Sequence, residues 1–222
     1  MADPHYSSGS RHWLLALIPL AAAVYFMSLI GRVAAGDYPQ ISLAWVPDLN
    51  ITLDFRVDGL SLLMALLVTG IGSLILAYAS GYMAGNPQIN RFFVILGLFM
   101  SAMLGLVLAD NIILLFIFWE LTSITSYLLI GFNHETDKSQ KSALQALLVT
   151  GSGGMALMAG LVIIGVMGGS WQLSELLAMD YHVFDEHPLY MAAFVLVCLG
   201  AFTKSAQFPF HFWLPNAMAA PT

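Results

Sequence analysis

Residues 107–132 read VLADNIILLFIFWELTSITSYLLIGF, and from Asn111 to Phe132 they hold a single charge, Glu120. At 1.5 Å per helical residue that run covers roughly 33 Å, enough to cross a hydrocarbon core of about 30 Å. The same character extends outward in both directions. Hydrophobic residues make up 59% of the 222 residues and charged residues only 9%, with a mean hydropathy of +0.82. A soluble domain carries roughly a quarter charged residues. So few charges cannot clothe a water-facing surface, and the chain reads as an integral membrane protein.

Six long apolar runs stand out, at about 13–31, 58–82, 92–109, 111–132, 143–168 and 188–217. Lipid leaves no partner for an open strand edge, and no barrel pattern is visible, so all six are read as helices. The expected fold class is an all-α polytopic membrane protein. Run 13–31 exceeds a signal-peptide core, and Gly31-Arg32 follows it without a small-residue cleavage site, which makes it a retained span. Ahead of it MADPHYSSGS is polar, so residues 1–12 are expected to form a disordered tail. Residues 13–222 then form the transmembrane domain.

The connections carry their own signals. Segment 37–57, DYPQISLAWVPDLNITLDFRV, alternates Ile41, Leu43 and Trp45 before Pro47-Asp48, and Ile51, Leu53 and Phe55 after it. That pattern predicts a β-hairpin outside the bilayer. Asn86-Pro87 marks a short loop and Asp110-Asn111 a tight turn. NHETDKSQKS (133–142) reads as a polar loop. WQLSELLAMD (171–180) reads as a short interfacial helix with Leu173, Leu176 and Leu177 on one face. With the N-terminus cytoplasmic, Arg11, Arg91, Lys138 and Lys141 lie inside and only Arg32 and Arg56 outside, a positive-inside pattern.

Two charges lie where charge is expensive. Glu120 sits nine residues into its run, near mid-membrane, and must face protein or water rather than lipid. Ser123 and Tyr127 follow at i+3 and i+7, making one polar stripe. Burial favours the neutral carboxyl and a nearby cation favours the charged one, so such a group gains or loses a proton as its neighbour changes. The bland alternative is a protonated structural glutamate bonded to a neighbouring helix. Lys204 lies within GAFTKSAQFPFHFWLP (200–215). Pro209 lacks an N–H and clashes with the Ser205 carbonyl, so the last helix is expected to be discontinuous close to the lysine. Broken helices at membrane depth expose backbone to hydrated cavities in ion pathways. Gln207 and His211, at i+3 and i+7, extend a polar path if helical geometry survives the kink. The alternatives are a lysine snorkelling to the headgroups and an interfacial histidine.

Other chemistry is weaker or excluded. The seven Lys and Arg are scattered around a net charge of −6 and form no basic patch, which argues against nucleic acid. Cys198, the lone cysteine, offers neither an intrachain disulfide nor a thiolate cage. The histidines show no metal-ligand spacing. No P-loop, dinucleotide fingerprint or cysteine cluster is present, so no nucleotide, flavin, iron–sulfur or other cofactor is expected. TGSGG (150–154), Gly160, Gly165 and Gly168 supply small residues for close helix approach. A Ser152–His211 hydrolase dyad is disfavoured, because Thr150 breaks the G-x-S-G pattern and no oxyanion site is visible.

VDGLSLLM (57–64), the F-W-E run within 107–132 and KSAQFPFHFWLPNAMAAPT (204–222) resemble the antiporter-like membrane subunits of Mrp cation/proton antiporters, respiratory complex I and membrane-bound hydrogenases. TGSGGMALMAG and GAFTKSAQFPFHFWLPNAM look most like the large A subunit of Mrp-type antiporters; the complex I relatives usually carry Arg and Asp in place of Gly151 and Gly154. The resemblance implies a Glu120–Lys204 pair as the proton entrance site, in exchange of Na+ for H+ within a hetero-oligomer in a prokaryotic cell membrane. It also implies that protonation of Lys204 and its dissociation from Glu120 alternate. Two helices normally precede the hairpin in that family and a second inverted repeat follows, so the chain is expected to be an N-terminal fragment. Two other functions stay open. One is a proton-pumping subunit of complex I or a hydrogenase; the other is a non-transporting membrane scaffold from a truncated gene.

Overall fold

The computed structural model describes residues 9–46, 51–180 and 182–218. The chain is a polytopic helical membrane protein with one small two-stranded sheet. It forms two compact units, one of residues 1–40 and 56–108, the other of 41–55 and 109–222.

The first unit holds three apolar helical runs. Its opening run, Arg11–Ala34, combines a 3-10 helix (Gly9–Ala16), α1 (Leu17–Ser28) and α2 (Ile30–Ala34). Residues 9–12, expected in a disordered tail, are therefore wound into helix; residues 1–8 lie outside the described residues. α3 (Gly59–Tyr82) starts at a capping box, in which Asp58 accepts from the Ser61 N–H and the Ser61 hydroxyl accepts from the Asp58 N–H. α4 (Ile89–Leu108) completes the set, beginning three residues earlier than its hydropathy suggests. Phe26, Leu29 and Val33 pack on Leu62 and the fully buried Ala65. The opposite faces of these helices expose Ile18, Val24, Leu74 and Val94, as lipid-facing surfaces do.

The hairpin of the second unit pairs β1 (Gln40–Val46) with β2 (Ile51–Arg56); the Pro47-Asp48 turn lies outside the described residues. Ile41, Leu43 and Trp45 are exposed, as is the rest of β1 before Val46. Asp54 is the surprise, a carboxylate only 4% exposed. It accepts from Thr52 and from Gln172 Nε2, and its backbone carbonyl accepts from the Asp110 N–H at 2.8 Å. Asp110 in turn accepts from both the N–H and the hydroxyl of Ser174. Asn111 caps α5 (Ile112–Ile130) through the N–H groups of Ile113 and Leu114. The tight turn at 110–111 thus ties β2 and α7 (Leu173–Ala178) to the start of α5.

α6 (Asp137–Gly168) is 32 residues long and absorbs DKSQKS, expected as loop. Asp137 suits a helix N-terminus, and the Ser139 hydroxyl fastens this first turn to the Ile130 carbonyl at the end of α5. α7 is a six-residue helix, but only Leu173 and Leu176 turn inward. Leu177, expected on the same face, is 76% exposed. α8 (His182–Asp185) leads to α9 (Tyr190–Lys204). The last run, read as 188–217, is split: α9 stops at Lys204, a 3-10 turn occupies Phe210–Phe212, and α10 spans Trp213–Ala217. Among the described residues, five helices are long and apolar enough to span a membrane, and α9 is a shorter apolar helix.

Candidate functional site

The site is built where α9 stops. Its last residues form a Schellman turn, with the Gln207 N–H on the Phe202 carbonyl and the Ala206 N–H on the Thr203 carbonyl. Ala206 takes φ +52°, a left-handed position that glycine usually fills. The buried Trp213 adds its indole N–H to the Thr203 carbonyl at 3.0 Å. Pro209 explains why helix cannot resume at once. Lys204 is thereby fixed as the last helical residue, where a helix C-terminus favours a cation.

α9 reaches its neighbours across bare backbone. A methyl at Gly160 would lie 2.8 Å from Val197 Cγ2, and one at Gly200 would lie 2.6 Å from Leu157 Cβ. A methyl at Gly153 would overlap the Thr203 hydroxyl, and one at Gly154 would overlap Glu120 Oε1. Of the glycines read as close-approach positions, Gly153, Gly154, Gly160, Gly165 and Gly168 act as such, whereas Gly151 meets nothing within 4 Å; Gly154 borders the charged Glu120.

Lys204 lays its side chain against one turn of α5. Its Nζ donates to Thr122 Oγ1 at 2.6 Å, to Ser123 Oγ at 2.7 Å and to the Trp119 carbonyl at 3.1 Å. It also stands 5.2 Å from the centre of the Trp119 ring, within cation–π range. Thr122 and Ser123 are 1% and 3% exposed. Glu120 occupies the same turn but points towards α6, and its Oε1 is buried without a hydrogen-bond partner. Among the described residues the two charges do not form a direct ion pair.

The remaining sequence candidates separate from this core. Ser123 belongs to it by direct contact. Tyr127 is half-buried against Ile130, Ala143, Ala146 and Trp213. Gln207 and His211 are exposed, and the helical spacing that tied them to Lys204 ends with α9; His211 stacks on Phe208 instead. Thr122 and the Trp119 carbonyl escape a reading of the sequence. Thr122 lies 200° round the helix from Glu120, off the i+3/i+7 stripe, and a backbone carbonyl has no sequence signal.

Comparison with known proteins places this geometry. The family described as NADH:quinone oxidoreductase/Mrp antiporter, TM, matches residues 109–222, the whole of the site. A second, described as NADH-Ubiquinone oxidoreductase (complex I), chain 5 N-terminus, matches residues 44–93. The chain is 46% identical over 210 residues to the A1 subunit of a Na(+)/H(+) antiporter of Staphylococcus haemolyticus, covering 95% of this chain and 26% of the relative. It is 46% identical over 219 residues to the A/B subunit of a probable K(+)/H(+) antiporter of Rhizobium meliloti, covering 99% and 22%. In the structure of the Mrp complex from Dietzia sp. DQ12-45-1b, one chain superposes with a TM-score of 0.87 at 35% identity, over 98% of this chain and 23% of that one. The chain thus spans about a quarter of the length of the relatives it matches. Fold, matched segments and relatives agree: this chain belongs to the NADH:quinone oxidoreductase/Mrp antiporter transmembrane family.

Proposed function

We propose that the chain is the proton-transfer part of a multisubunit cation/proton antiporter, and that Lys204 and Glu120 carry the proton. The complex would exchange Na+ for H+ across a prokaryotic plasma membrane, together with other membrane subunits and without a cofactor of its own. The observation that carries this reading is the seat of Lys204, a cation inside an apolar helix bundle at a helix break, with Glu120 on the same turn of α5 as its three ligands. A buried lysine and a buried carboxyl so close titrate as a coupled unit. Proton movement through the site then requires Nζ to pass between a seated state and one in exchange with Glu120. Ser123 shares in this by its bond to Nζ. Tyr127, Gln207 and His211 keep only the weaker place their polarity gives them, and Pro209 that of holding the break open. The N-terminus is proposed to face the cytoplasm, with Arg11, Arg91, Lys138 and Lys141.

The names of the relatives favour antiport over redox-driven pumping. Deleting the gene separates the two: sodium-sensitive growth with unchanged NADH oxidation supports antiport, and lost quinone reductase activity supports the complex I reading. The direct test is cation-driven proton movement in everted vesicles holding the intact complex. Lys204→Ala and Glu120→Gln are each expected to lower antiport about tenfold or more with the complex still assembled. Wild-type antiport in both variants would refute the assignment and leave a scaffold role.

A further inference from the structure

The hydroxyls around Lys204 fix more than its position. Thr122 Oγ1 lies 2.7 Å and Ser123 Oγ 3.3 Å from the Trp119 carbonyl, the same oxygen that accepts from Nζ. Each hydroxyl has one hydrogen, and the carbonyl can only accept. Hydroxyl hydrogens directed at that carbonyl leave both oxygens presenting lone pairs to Nζ. The two hydroxyl oxygens then accept from the ammonium at 2.6 and 2.7 Å, the shared Trp119 carbonyl makes a longer contact at 3.1 Å, and the Trp119 ring face adds a cation–π attraction. The turn Trp119–Ser123 is complementary to the charged lysine. Glu120, facing α6 with Oε1 unpartnered, takes no part in it.

We propose that Trp119, Thr122 and Ser123 form a second seat for the charged Lys204 ammonium, competing with the Glu120 carboxylate, and that Thr122 and Ser123 are positioning residues of the transfer step. The inference rests on the Glu120–Lys204 reading above and adds where the lysine resides when it is away from the glutamate. The two seats adjoin at Ser123, which stands at i+3 from Glu120, and such neighbours on a helix surface are about 5–6 Å apart between Cβ atoms. A lysine side chain spans that by rotating its own torsions. Its backbone need not move, and the Schellman turn with the Trp213 bond to Thr203 keeps the end of α9 in place. In the cradle Nζ keeps its proton. Release requires it to leave for Glu120, where an N–H bond breaks as an O–H bond forms on the carboxylate.

The test uses the intact antiporter complex with Thr122→Val and Ser123→Ala together, and Thr122→Val alone, which preserves volume. The double variant is expected to lose antiport about fivefold or more, and Thr122→Val to lose less. A variant that exchanges the hydroxyls, Thr122→Ser with Ser123→Thr, is expected to stay within about twofold of wild type. In an electron cryo-microscopy structure of the double variant, Nζ should leave the Trp119 carbonyl and come within ion-pair distance of Glu120. The proposal is overturned if the double variant transports normally, if the hydroxyl-exchanged variant fails equally, or if Nζ stays at Trp119. Silent Lys204→Ala and Glu120→Gln variants would instead remove the pair itself. Inactive ones beside a normal double variant would remove only the cradle.

Discussion

The two units of this chain differ in what their polar groups reach. In the first, hydroxyls are spent on their own helices: Thr69 on the Ala65 carbonyl, Ser73 on Gly70, Ser80 on Ala77 and Ser101 on Gly97. A bond between helices there, His12 with Asn90, joins helix ends. The second unit has such bonds too, Thr150 on Ala146 and Thr203 on Gly200 among them, but there hydroxyls also hold other elements, as Ser139 does for Ile130, Ser174 for Asp110, and Thr122 with Ser123 for Lys204. All four buried side-chain atoms without a hydrogen-bond partner among the described residues belong to it too: Asp54 Oδ1, Asn111 Nδ2, Trp119 Nε1 and Glu120 Oε1. A hydroxyl that meets only its own helix adds nothing to a neighbouring element. One that also meets another element can exchange partners, which proton transfer needs. On the proposed function, this difference would leave packing to the first unit and proton handling to the second.

Glycine substitutions break this comparison most sharply. A methyl at Gly154 would overlap Glu120 Oε1, the movable end of a flexible side chain, whereas a methyl at Gly70 would meet nothing within 4 Å. Gly154→Ala should therefore displace the carboxyl without unfolding the helix pair, and lower vesicle antiport about tenfold. Gly70→Ala should leave transport unchanged and favour its helix by up to about 1 kcal/mol. Equal losses in both would show that small residues serve packing in either unit and that Gly154 has no special tie to Glu120.

Hydropathy makes most of the fold legible, because a charge-poor run of this length has one stable state in lipid. The hairpin follows from alternation about Pro47-Asp48, and the break in the last run from Pro209. Hydropathy marks the slab of apolar residues rather than the helix ends, so the polar turn Asp137–Ser142 reads as loop although it is helix. Glu120 and Lys204 are visible from the cost of burying charge. Their relation is not. The stripe Glu120, Ser123, Tyr127 follows one face, and Lys204 touches it only at Ser123, its other contacts being Trp119 and Thr122 beside the stripe. The step from Lys204 to Gln207 and His211 requires helical geometry to survive the kink, and Ala206, without the usual glycine, does not mark how early the helix ends.

That end of helix yields a smaller effect. An L-residue in the left-handed region costs about 1–2 kcal/mol, which glycine avoids at the expense of a looser unfolded chain. Ala206 also packs its methyl near Trp213. Ala206→Gly is expected to stabilise the second unit by about 0.5 kcal/mol net, seen as a higher melting midpoint of the purified complex by tryptophan fluorescence. A lower midpoint would mean that the contact with Trp213, rather than the turn, holds the break.

The smallest expected effect lies in the first unit and sharpens the contrast with Thr122. Thr69 is as buried as Thr122, at 2% against 1%, and its hydroxyl also meets a backbone carbonyl of its own helix, at 2.6 Å. No second helix depends on it. The Ala65 carbonyl keeps its regular helical N–H when the hydroxyl is removed, and valine fills the same volume, so no cavity opens and no group is orphaned. Thr69→Val is therefore expected to change stability by no more than about 0.5 kcal/mol and antiport not at all, read as melting midpoint and vesicle transport beside Thr122→Val. Burial, chemistry and substitution are matched at the two sites; only the lysine differs. If Thr69→Val were as damaging as Thr122→Val, hydroxyls would matter for helix geometry in both units, and the division between a packing unit and a proton-handling unit would fall.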